Sequence, residues 1–352
     1  MKGEKKRRHC LGWITLLAAC MVCLAGCLGV GILKEVIPEK VGTAKSEQAE
    51  MDTEDMIVVG FSQLGSESLW RSAHSASIQD SLSKYEGYFL VYNNARQKKE
   101  NQIKAIRQFI SQRVDYIVFS PMDEEGWDTV LLEAKNAGIP VILVDRKVNV
   151  SDPDLYTSWV GSDMREEGEK AGLWLEAFEQ EKGLSDEEIR IVVLTGTEGA
   201  TATIKRSEGF HSIADGHDNW VILEEACGDF TTAKGEEVME KLLKKYKDID
   251  VVISQNDDMT FGAIEAIEKK GLTTGVDGDI AIVSFDAVKE ALLLVQEGKI
   301  NVDIECNPME GEYVKEIIQT MEMGMTVHKN YWVEESVFTI DNVDEVIDTR
   351  MY

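Results

Sequence analysis

Charged, amide and aromatic side chains recur just after the short apolar runs of this chain. Asp145 and Arg146 follow the run 140–144, and Asn256 comes shortly after the run 250–253. The full set of candidates is Glu67, Trp70, Arg71, Asn94, Asp145, Arg146, Arg206, Phe230, Asn256, Asp286 and Glu305. Planar side chains can cover the C–H faces of a sugar, while carboxylates, amides and guanidinium groups pair with its hydroxyls. The mixture therefore indicates a sugar-binding site.

Several of these candidates also have a purely structural interpretation. An aspartate that follows a strand can cap the next helix, which is the alternative for Asp258 and Asp286. Trp70 can be a core residue of the first helix, and Arg206 can be the partner in a surface ion pair. The remaining body tryptophans are predicted to pack in the core rather than to contact a ligand: Trp127, Trp159, Trp174, Trp220 and Trp332.

The sequence offers little for catalysis. It has no phosphate-binding loop of the Walker type, no Gly-x-Ser-x-Gly elbow and no zincin motif. Its five histidines are scattered, which disfavours a metal centre. We therefore predict a protein that is not an enzyme and that has neither a metal nor a cofactor. Carboxylate pairs also serve glycosidases, so weak hydrolysis stays open at this point.

Alternating apolar runs and helix-length segments predict an α/β fold. Continuous β-rich runs indicate strands buried on both faces, as in parallel sheets covered by helices. Because the pattern starts again near residue 189, we expect two Rossmann-like lobes. Ligands in such sheets bind beyond the carboxyl ends of the strands, which is where the candidates lie. The runs are 57–61, 88–92, 116–119 and 140–144, then 189–194, 220–223, 250–253 and 280–283.

The N-terminus predicts export and a lipid anchor. Residues 1–26 begin with a basic segment and continue with an uncharged apolar stretch that is too short to span a membrane. The sequence Leu24-Ala25-Gly26-Cys27 is typical of a lipobox, in which the Cys27 thiol is lipidated. We expect residues 1–26 to be a signal peptide and 27–55 a lipidated tether. The protein would sit extracytoplasmically, anchored to the outer face of the cell membrane.

The net charge and the secretion signal argue against nucleic acid as a partner. The net charge is −27, and the signal peptide holds five basic residues and one acidic one, so its removal gives −31. Such a surface repels nucleic acid. A transcriptional repressor is also disfavoured, because a secretion signal stands where its DNA-binding helices would be. Of the six cysteines, only Cys227 and Cys306 lie outside residues 1–27. Whether they pair stays open.

Motifs in order and at matching spacing resemble the galactofuranose-binding proteins of sugar ABC importers and, more broadly, the ribose-type periplasmic binding proteins of type I. They are Phe61-Ser62-Gln63-Leu64-Gly65-Ser66-Glu67-Ser68, Trp70-Arg71, Glu100-Asn101-Gln102-Ile103-Lys104-Ala105, Asp145-Arg146, Gly228-Asp229-Phe230 and Asn256-Asp257-Asp258-Met259. The resemblance covers roughly 56–350.

The resemblance implies two lobes joined by a three-segment hinge near Ser162, Cys306 and Glu335. The N-terminal lobe would comprise 56–161 plus 306–335, and the C-terminal lobe 162–305 plus 336–352. Trp70 would stack on the sugar and Phe230 would face it. The other candidates would bond its hydroxyls. The partners implied are a monosaccharide and an ABC permease, and we expect a monomer. The alternative is a surface sensor that presents sugar to a membrane kinase or chemoreceptor.

Overall fold

The structure is a computed structural model that describes residues 56–352. The predicted signal peptide 1–26, the lipidation site Cys27 and the tether 27–55 lie outside the described residues. Within the described part, none of the helices combines the length and the apolar character that crossing a membrane requires.

Within residues 56–352, twelve strands form two six-stranded sheets. The strands are β1 Ile57–Gln63, β2 Tyr88–Asn94, β3 Tyr116–Phe119, β4 Val141–Val144, β5 Ser158–Gly161, β6 Ile189–Thr195, β7 Trp220–Cys227, β8 Val251–Ser254, β9 Ala281–Asp286, β10 Val302–Glu305, β11 Asn330–Trp332 and β12 Val337–Thr339. The first sheet has the order β11-β5-β4-β3-β1-β2, and the second has the order β12-β10-β9-β8-β6-β7. All pairings are parallel except that of β10 with β12.

Nine α-helices of the described chain cover the faces of these sheets. They are α1 Leu69–Ser81, α2 Lys99–Gln112, α3 Asp128–Asn136, α4 Met164–Lys182, α5 Thr201–Ala214, α6 Thr232–Lys245, α7 Asp257–Lys269, α8 Lys289–Gln296 and α9 Gly311–Glu322. Local chemistry sets several helix starts. The Ser68 hydroxyl accepts the Arg71 N–H at 3.0 Å, and the Asn256 side chain accepts the Met259 N–H at 3.0 Å.

The inner strands are apolar because both of their faces are buried. In β3, Ile117 and Phe119 pack on one side of the sheet and Val118 packs on the other. The second sheet is likewise covered by a cluster on each face. This arrangement confirms the predicted α/β class with two parallel-dominated sheets. Of the tryptophans predicted to pack, Trp332 differs, because it is 50% exposed on the short edge strand β11.

The chain passes between the sheets three times: between β5 and α4, between β10 and α9, and between β11 and β12. We call these three connections the crossovers. Glu335 on the third crossover accepts the Asn307 N–H of the second at 3.0 Å and also the Ser162 hydroxyl of the first. The predicted lobe boundaries at single residues stay a prediction. Below, the N-terminal lobe is the part built on the first sheet and the C-terminal lobe is the part built on the second.

Candidate ligand-binding site

A cavity between the two lobes collects most of the predicted site residues. It lies at the carboxyl ends of the strands, where ligands bind in open α/β sheets. Nine of the predicted residues line it: Glu67, Trp70, Arg71, Asp145, Arg146, Arg206, Phe230, Asn256 and Asp286. Ser68, Met164, Ala202 and Cys306 complete the lining.

On the N-terminal side, Arg71 organises the charged groups. One of its Nη atoms lies 2.6 Å from Asp145 Oδ2, and its Nε lies 3.2 Å from Glu67 Oε1. The Ser120 hydroxyl donates to Asp145 Oδ2 at 2.7 Å. Burial alone would raise the pKa of Asp145, but Arg71 and then Arg146 outweigh it and hold that pKa below its ordinary value. Asp145 is therefore an ionised acceptor for hydroxyl groups.

Arg146 has donor capacity left over. Its one hydrogen bond within the described chain runs from an Nη atom to the Met122 carbonyl at 2.7 Å. Its buried Nε has no hydrogen-bond partner there and lies 3.8 Å from Asp145 Oδ2, an ion-pair distance. Burial, and then repulsion from Arg71, lowers the pKa of Arg146 to about 10. A buried guanidinium that lacks acceptors is costly. A ligand oxygen in the cavity would satisfy it.

On the C-terminal side, Arg206 binds several acceptors at once. Its Nε lies 2.5 Å from Glu167 Oε2, and an Nη atom lies 3.2 Å from Asp286 Oδ1. Its other Nη atom donates to the Gln255 carbonyl. Burial raises the pKa of Asp286 well above its ordinary value, against the opposing effect of Arg206. Arg206 is 3% exposed, so the surface ion-pair alternative is wrong.

Close packing of two helices brings Glu167 to Arg206. A Cβ at Gly168 of α4 would lie 2.2 Å from the Arg206 carbonyl oxygen, and one at Gly209 of α5 would lie 2.0 Å from the Arg165 carbonyl oxygen. Only glycine permits backbones to approach so closely. These two positions therefore fix the spacing of α4 and α5, and with it the ion pair.

Trp70 and Phe230 supply the aromatic walls of the cavity. The Trp70 indole donates to the Cys306 carbonyl on the second crossover at 2.5 Å. The Arg146 guanidinium lies 5.6 Å from the centre of the Phe230 ring. Phe230 fits because residue 196 is glycine, where a Cβ would lie 1.8 Å from the ring. Trp70 also belongs to an apolar cluster with Met164, so its core and site interpretations both apply.

Three cavity residues adopt left-handed backbone conformations. The φ angles are +61° at Asp145, +56° at Phe230 and +108° at Asp286. Non-glycine residues rarely adopt such angles, and the cost is of order 1–3 kcal/mol each. Strain of this kind clusters at ligand sites. Its presence at three lining residues supports a binding role for the cavity.

Two predicted residues lie elsewhere. Asn94 ends β2, the outermost strand of the first sheet, and its side chain accepts the Arg96 N–H at 2.8 Å in a shallow surface groove. Glu305 ends β10, but its carboxylate accepts from Arg350 at 2.5 Å and from the Tyr352 hydroxyl at 2.7 Å. Asn94 lies at a sheet edge, and Glu305 is bound by residues of the C-terminal tail, so neither side chain lines the cavity. We therefore include neither residue in the proposed ligand set.

The structure also shows that neither Asp286 nor Asp258 is the residue that caps the following helix. Asp286 does not cap α8, which begins after Val288 without a side-chain cap. Asn256 caps α7, and Asp258 instead accepts the Leu69 N–H of the other lobe at 3.2 Å. Burial raises the pKa of Asp258 to about 6.

Two hydrogen bonds join the lobes directly. One is the bond from the Leu69 N–H to Asp258, and the other runs from the Lys147 N–H to the Thr201 hydroxyl at 3.0 Å. The lobes are therefore closed over the cavity.

Sequence reasoning missed Met164 and Ala202, which line the cavity from the first turns of α4 and α5. Apolar side chains carry no chemical signal that would single them out. It also missed Glu167, the partner of Arg206. Its position on a helix that follows a crossover, rather than at a strand end, concealed it. Cys306 stood out only as an unusual residue near a predicted hinge.

One possible group of metal ligands occurs within 56–352, namely Glu167, Cys306 and Glu335, whose ligand atoms lie within 4.8 Å of one another. Arg206 already binds Glu167. Burial raises the pKa of all three groups, to about 9 for Glu335. These three groups therefore bind protons in preference to a metal cation.

The two cysteines of the described chain do not form a disulfide. Cys227 is exposed and Cys306 is buried, and both are free thiols.

A pair of buried carboxyl groups supports the loop that carries Asp286. Asp303 accepts the Ala287 N–H at 3.1 Å, and Asp257 accepts the Val288 N–H at 2.8 Å. Asp303 Oδ2 has no partner within the described chain. Burial raises the pKa of Asp303 to about 7 and that of Asp257 well above its ordinary value. The pair therefore holds a proton in the folded protein.

We expect this pair to make stability depend on pH. A carboxyl whose pKa is raised by folding stabilises the protein below its unfolded pKa, and the effect is lost as the pH rises through the folded value. Stability should therefore fall between about pH 4 and pH 7. Asp303→Asn, whose amide can donate to Asp257, should gain roughly 1–2 kcal/mol over the wild type at pH 8 and nothing at pH 4. Urea titrations at both pH values measure this, with exposed Asp248→Asn as the control. Equal stability of variant and wild type at pH 8 would contradict it.

Comparison with known proteins agrees with this geometry. Residues 59–313 match the family described as periplasmic binding protein domain. The chain is 35% identical over 314 residues to the galactofuranose-binding protein YtfQ of Escherichia coli strain K12, which covers 88% of this chain and 96% of that protein.

Solved structures are also similar. A protein from Mycobacterium smegmatis in complex with β-D-fucofuranose has a TM-score of 0.80 and 40% identity, covering 84% of this chain and 95% of that one. The binding protein of the arabinose ABC transporter from Shewanella sp. ANA-3, bound to α- and β-L-arabinofuranose, has a TM-score of 0.78 and 39% identity over the same shares. The Escherichia coli and Shewanella relatives are named as binding proteins, not as enzymes. From the family match and this level of identity, the chain belongs to the periplasmic binding protein family.

Proposed function

We propose that this chain is the substrate-binding lipoprotein of an ABC sugar importer and that it captures one monosaccharide in furanose form between its lobes. The observation that carries the proposal is the cavity between the closed lobes, in which three arginines, three carboxyl groups and two aromatic rings converge from both lobes. A ligand that contacts both lobes only when they are closed shifts the equilibrium toward the closed state. Binding needs no bond to break.

The cavity favours a neutral polyhydroxyl ligand. Asp145 supplies an ionised acceptor, while Arg146 supplies an N–H donor that has no hydrogen-bond partner within the described residues. A sugar hydroxyl can both donate and accept, so neighbouring hydroxyls can serve both groups. Trp70 and Phe230 would face the C–H surfaces of the ring.

The furanose form is inferred from similarity. Two solved relatives at 40% and 39% identity hold a furanose, and the curated relative YtfQ is named for galactofuranose. The lipid anchor at Cys27 and the monomeric state remain parts of the proposal that come from the sequence. Labelling with radioactive palmitate, abolished in Cys27→Ser, tests the anchor.

Calorimetric titration of the full-length chain tests the ligand. The panel comprises galactose, arabinose, ribose, glucose and a galactofuranose source. We expect tight one-to-one binding to one sugar, strongest where the furanose form is available, with the sugar recovered unchanged. No binding across the panel by folded protein would overturn the monosaccharide assignment. Loss of sugar uptake on deletion of the gene separates an importer component from the sensor alternative, which predicts loss of signalling with uptake retained.

A further inference from the structure

A buried hydrogen-bonded chain lies behind the cavity in the N-terminal lobe. Glu310, which precedes α9, places Oε2 2.9 Å from the Asp145 backbone nitrogen and 3.3 Å from Nε2 of His74. Glu310 is 1% exposed and His74 is fully buried. Neither residue lines the cavity. Both nevertheless contact residues that do.

The direction of these hydrogen bonds follows from Gln63. Its Oε1 accepts the Leu64 N–H at 3.0 Å, which identifies the oxygen end of the amide. Its Nε2 therefore donates to His74 Nδ1, at 2.9 Å. Burial, and then Arg71, lowers the pKa of His74 to about 3, so the ring is neutral and its proton sits on Nε2. Glu310 Oε2 thus accepts two hydrogen bonds, from His74 and from Asp145.

These two bonds end on two different parts of the cavity wall. Asp145 has a left-handed φ of +61°, and its N–H is shared between Glu310 and the Val160 carbonyl, which lies 2.9 Å away. The His74 ring stacks on the Trp70 indole, with centroids 5.1 Å apart and planes inclined by 12°. One carboxyl group is therefore connected both to the acceptor Asp145 and to the aromatic wall.

We propose that Glu310 is a positioning residue, which holds the Asp145 backbone directly and the Trp70 ring through His74 in the orientation that sugar binding requires. Its effect on affinity rests on the proposed function, whereas its effect on the two cavity groups does not. Glu310 is the last residue of the second crossover, on which the Cys306 carbonyl accepts the Trp70 indole N–H. The crossover and the cavity wall are thereby joined at two points.

Three variants of the full-length chain test this role. Glu310→Ala removes the acceptor, Glu310→Gln keeps an acceptor oxygen in the same place, and Glu312→Gln removes an exposed carboxylate from the neighbouring α9 as the control. The first readout uses no sugar. It consists of the ¹H–¹⁵N resonances of the Asp145 amide and of the Trp70 indole, the latter assigned with Trp70→Phe. The second readout is the affinity for the sugar that the panel identifies.

We expect Glu310→Ala to shift both resonances and to weaken sugar binding about tenfold. Glu310→Gln should restore both, and Glu312→Gln should match the wild type. Unchanged Asp145 and Trp70 resonances in Glu310→Ala would overturn the proposal, whether or not any sugar binds. A Glu310→Gln variant as impaired as Glu310→Ala would also overturn it. If the wild type binds no sugar, the proposed function fails while the resonances still decide this role.

His74→Ala supplies a further check that holds even if Glu310→Ala does not fold. It removes the link to Trp70 and leaves the bond from Asp145 to Glu310 in place. We expect the Trp70 indole resonance to shift and the Asp145 amide to stay close to its wild-type position. The opposite pattern would contradict the two-branched arrangement.

Discussion

Replacing Asp145 with alanine is expected to lower sugar affinity by about a hundredfold or more while both lobes stay folded. The carboxylate is the one ionised acceptor that Arg71, Arg146 and Ser120 jointly surround. Its loss removes a hydroxyl partner and leaves Arg71 and Arg146 as neighbouring cations with less compensation. Calorimetry with the sugar identified by the panel measures the loss, and circular dichroism monitors the fold.

Two further variants make the Asp145 experiment specific. Asp145→Asn keeps the shape and removes the charge, so affinity intermediate between the wild type and Asp145→Ala is expected. Asp248→Ala removes a carboxylate whose side chain is 73% exposed, and it should bind like the wild type. Wild-type affinity in a folded Asp145→Ala protein would mean that the ligand binds outside this cavity.

Removal of Arg206 should affect both binding and stability. In Arg206→Ala the Glu167 and Asp286 carboxyls lose their shared cation in a buried site, and removing one partner of such a group costs roughly 3–5 kcal/mol. Because the raised pKa values of both carboxyls would rise further, the loss should be larger at pH 8 than at pH 5. Urea titrations at the two pH values measure it. Sugar binding should become undetectable at micromolar protein.

Arg206→Lys distinguishes charge from geometry. One ammonium group keeps the positive charge but cannot bind Glu167, Asp286 and the Gln255 carbonyl together as the guanidinium does. We expect most of the stability to return while affinity stays about tenfold low. Lys205→Ala, which removes a side chain that is 40% exposed on the same helix, should change neither. A lysine variant with wild-type affinity would show that charge alone is sufficient at this position.

The sheets were predictable because their inner strands are continuous apolar runs. Runs such as 116–119 and 140–144 are short and rich in β-branched and aromatic residues, which favours buried strands over helices. The edge strands β11 and β12 were harder to predict than the edge strands β2 and β7, since each has only three residues and lies next to a crossover. Their place in the two sheets depends on tertiary pairing, which a local pattern does not show.

The site was predictable where polar residues directly follow inner strands, as at Asp145 and Asp286. The same rule nominated Asn94 and Glu305, but it does not say which strand lies at a sheet edge or which side chain another segment will bind. The supporting residues were not predictable. Glu167 and His74 lie on helices and Glu310 lies at the end of a crossover. Tertiary packing brings all three behind the cavity wall, and their sequence neighbourhood contains no sign of that contact.

The deep burial of the cavity sets how long a ligand stays. Asp145, Arg146 and Arg206 are only 2–3% exposed, so a bound sugar cannot leave until the lobes separate. The residence time of the sugar would then depend on how fast the lobes separate at the three crossovers rather than on the strength of individual contacts. The reason is that the sugar can dissociate no faster than the lobes open. A membrane partner that pulled the lobes apart could discharge the cargo quickly even from a tight complex.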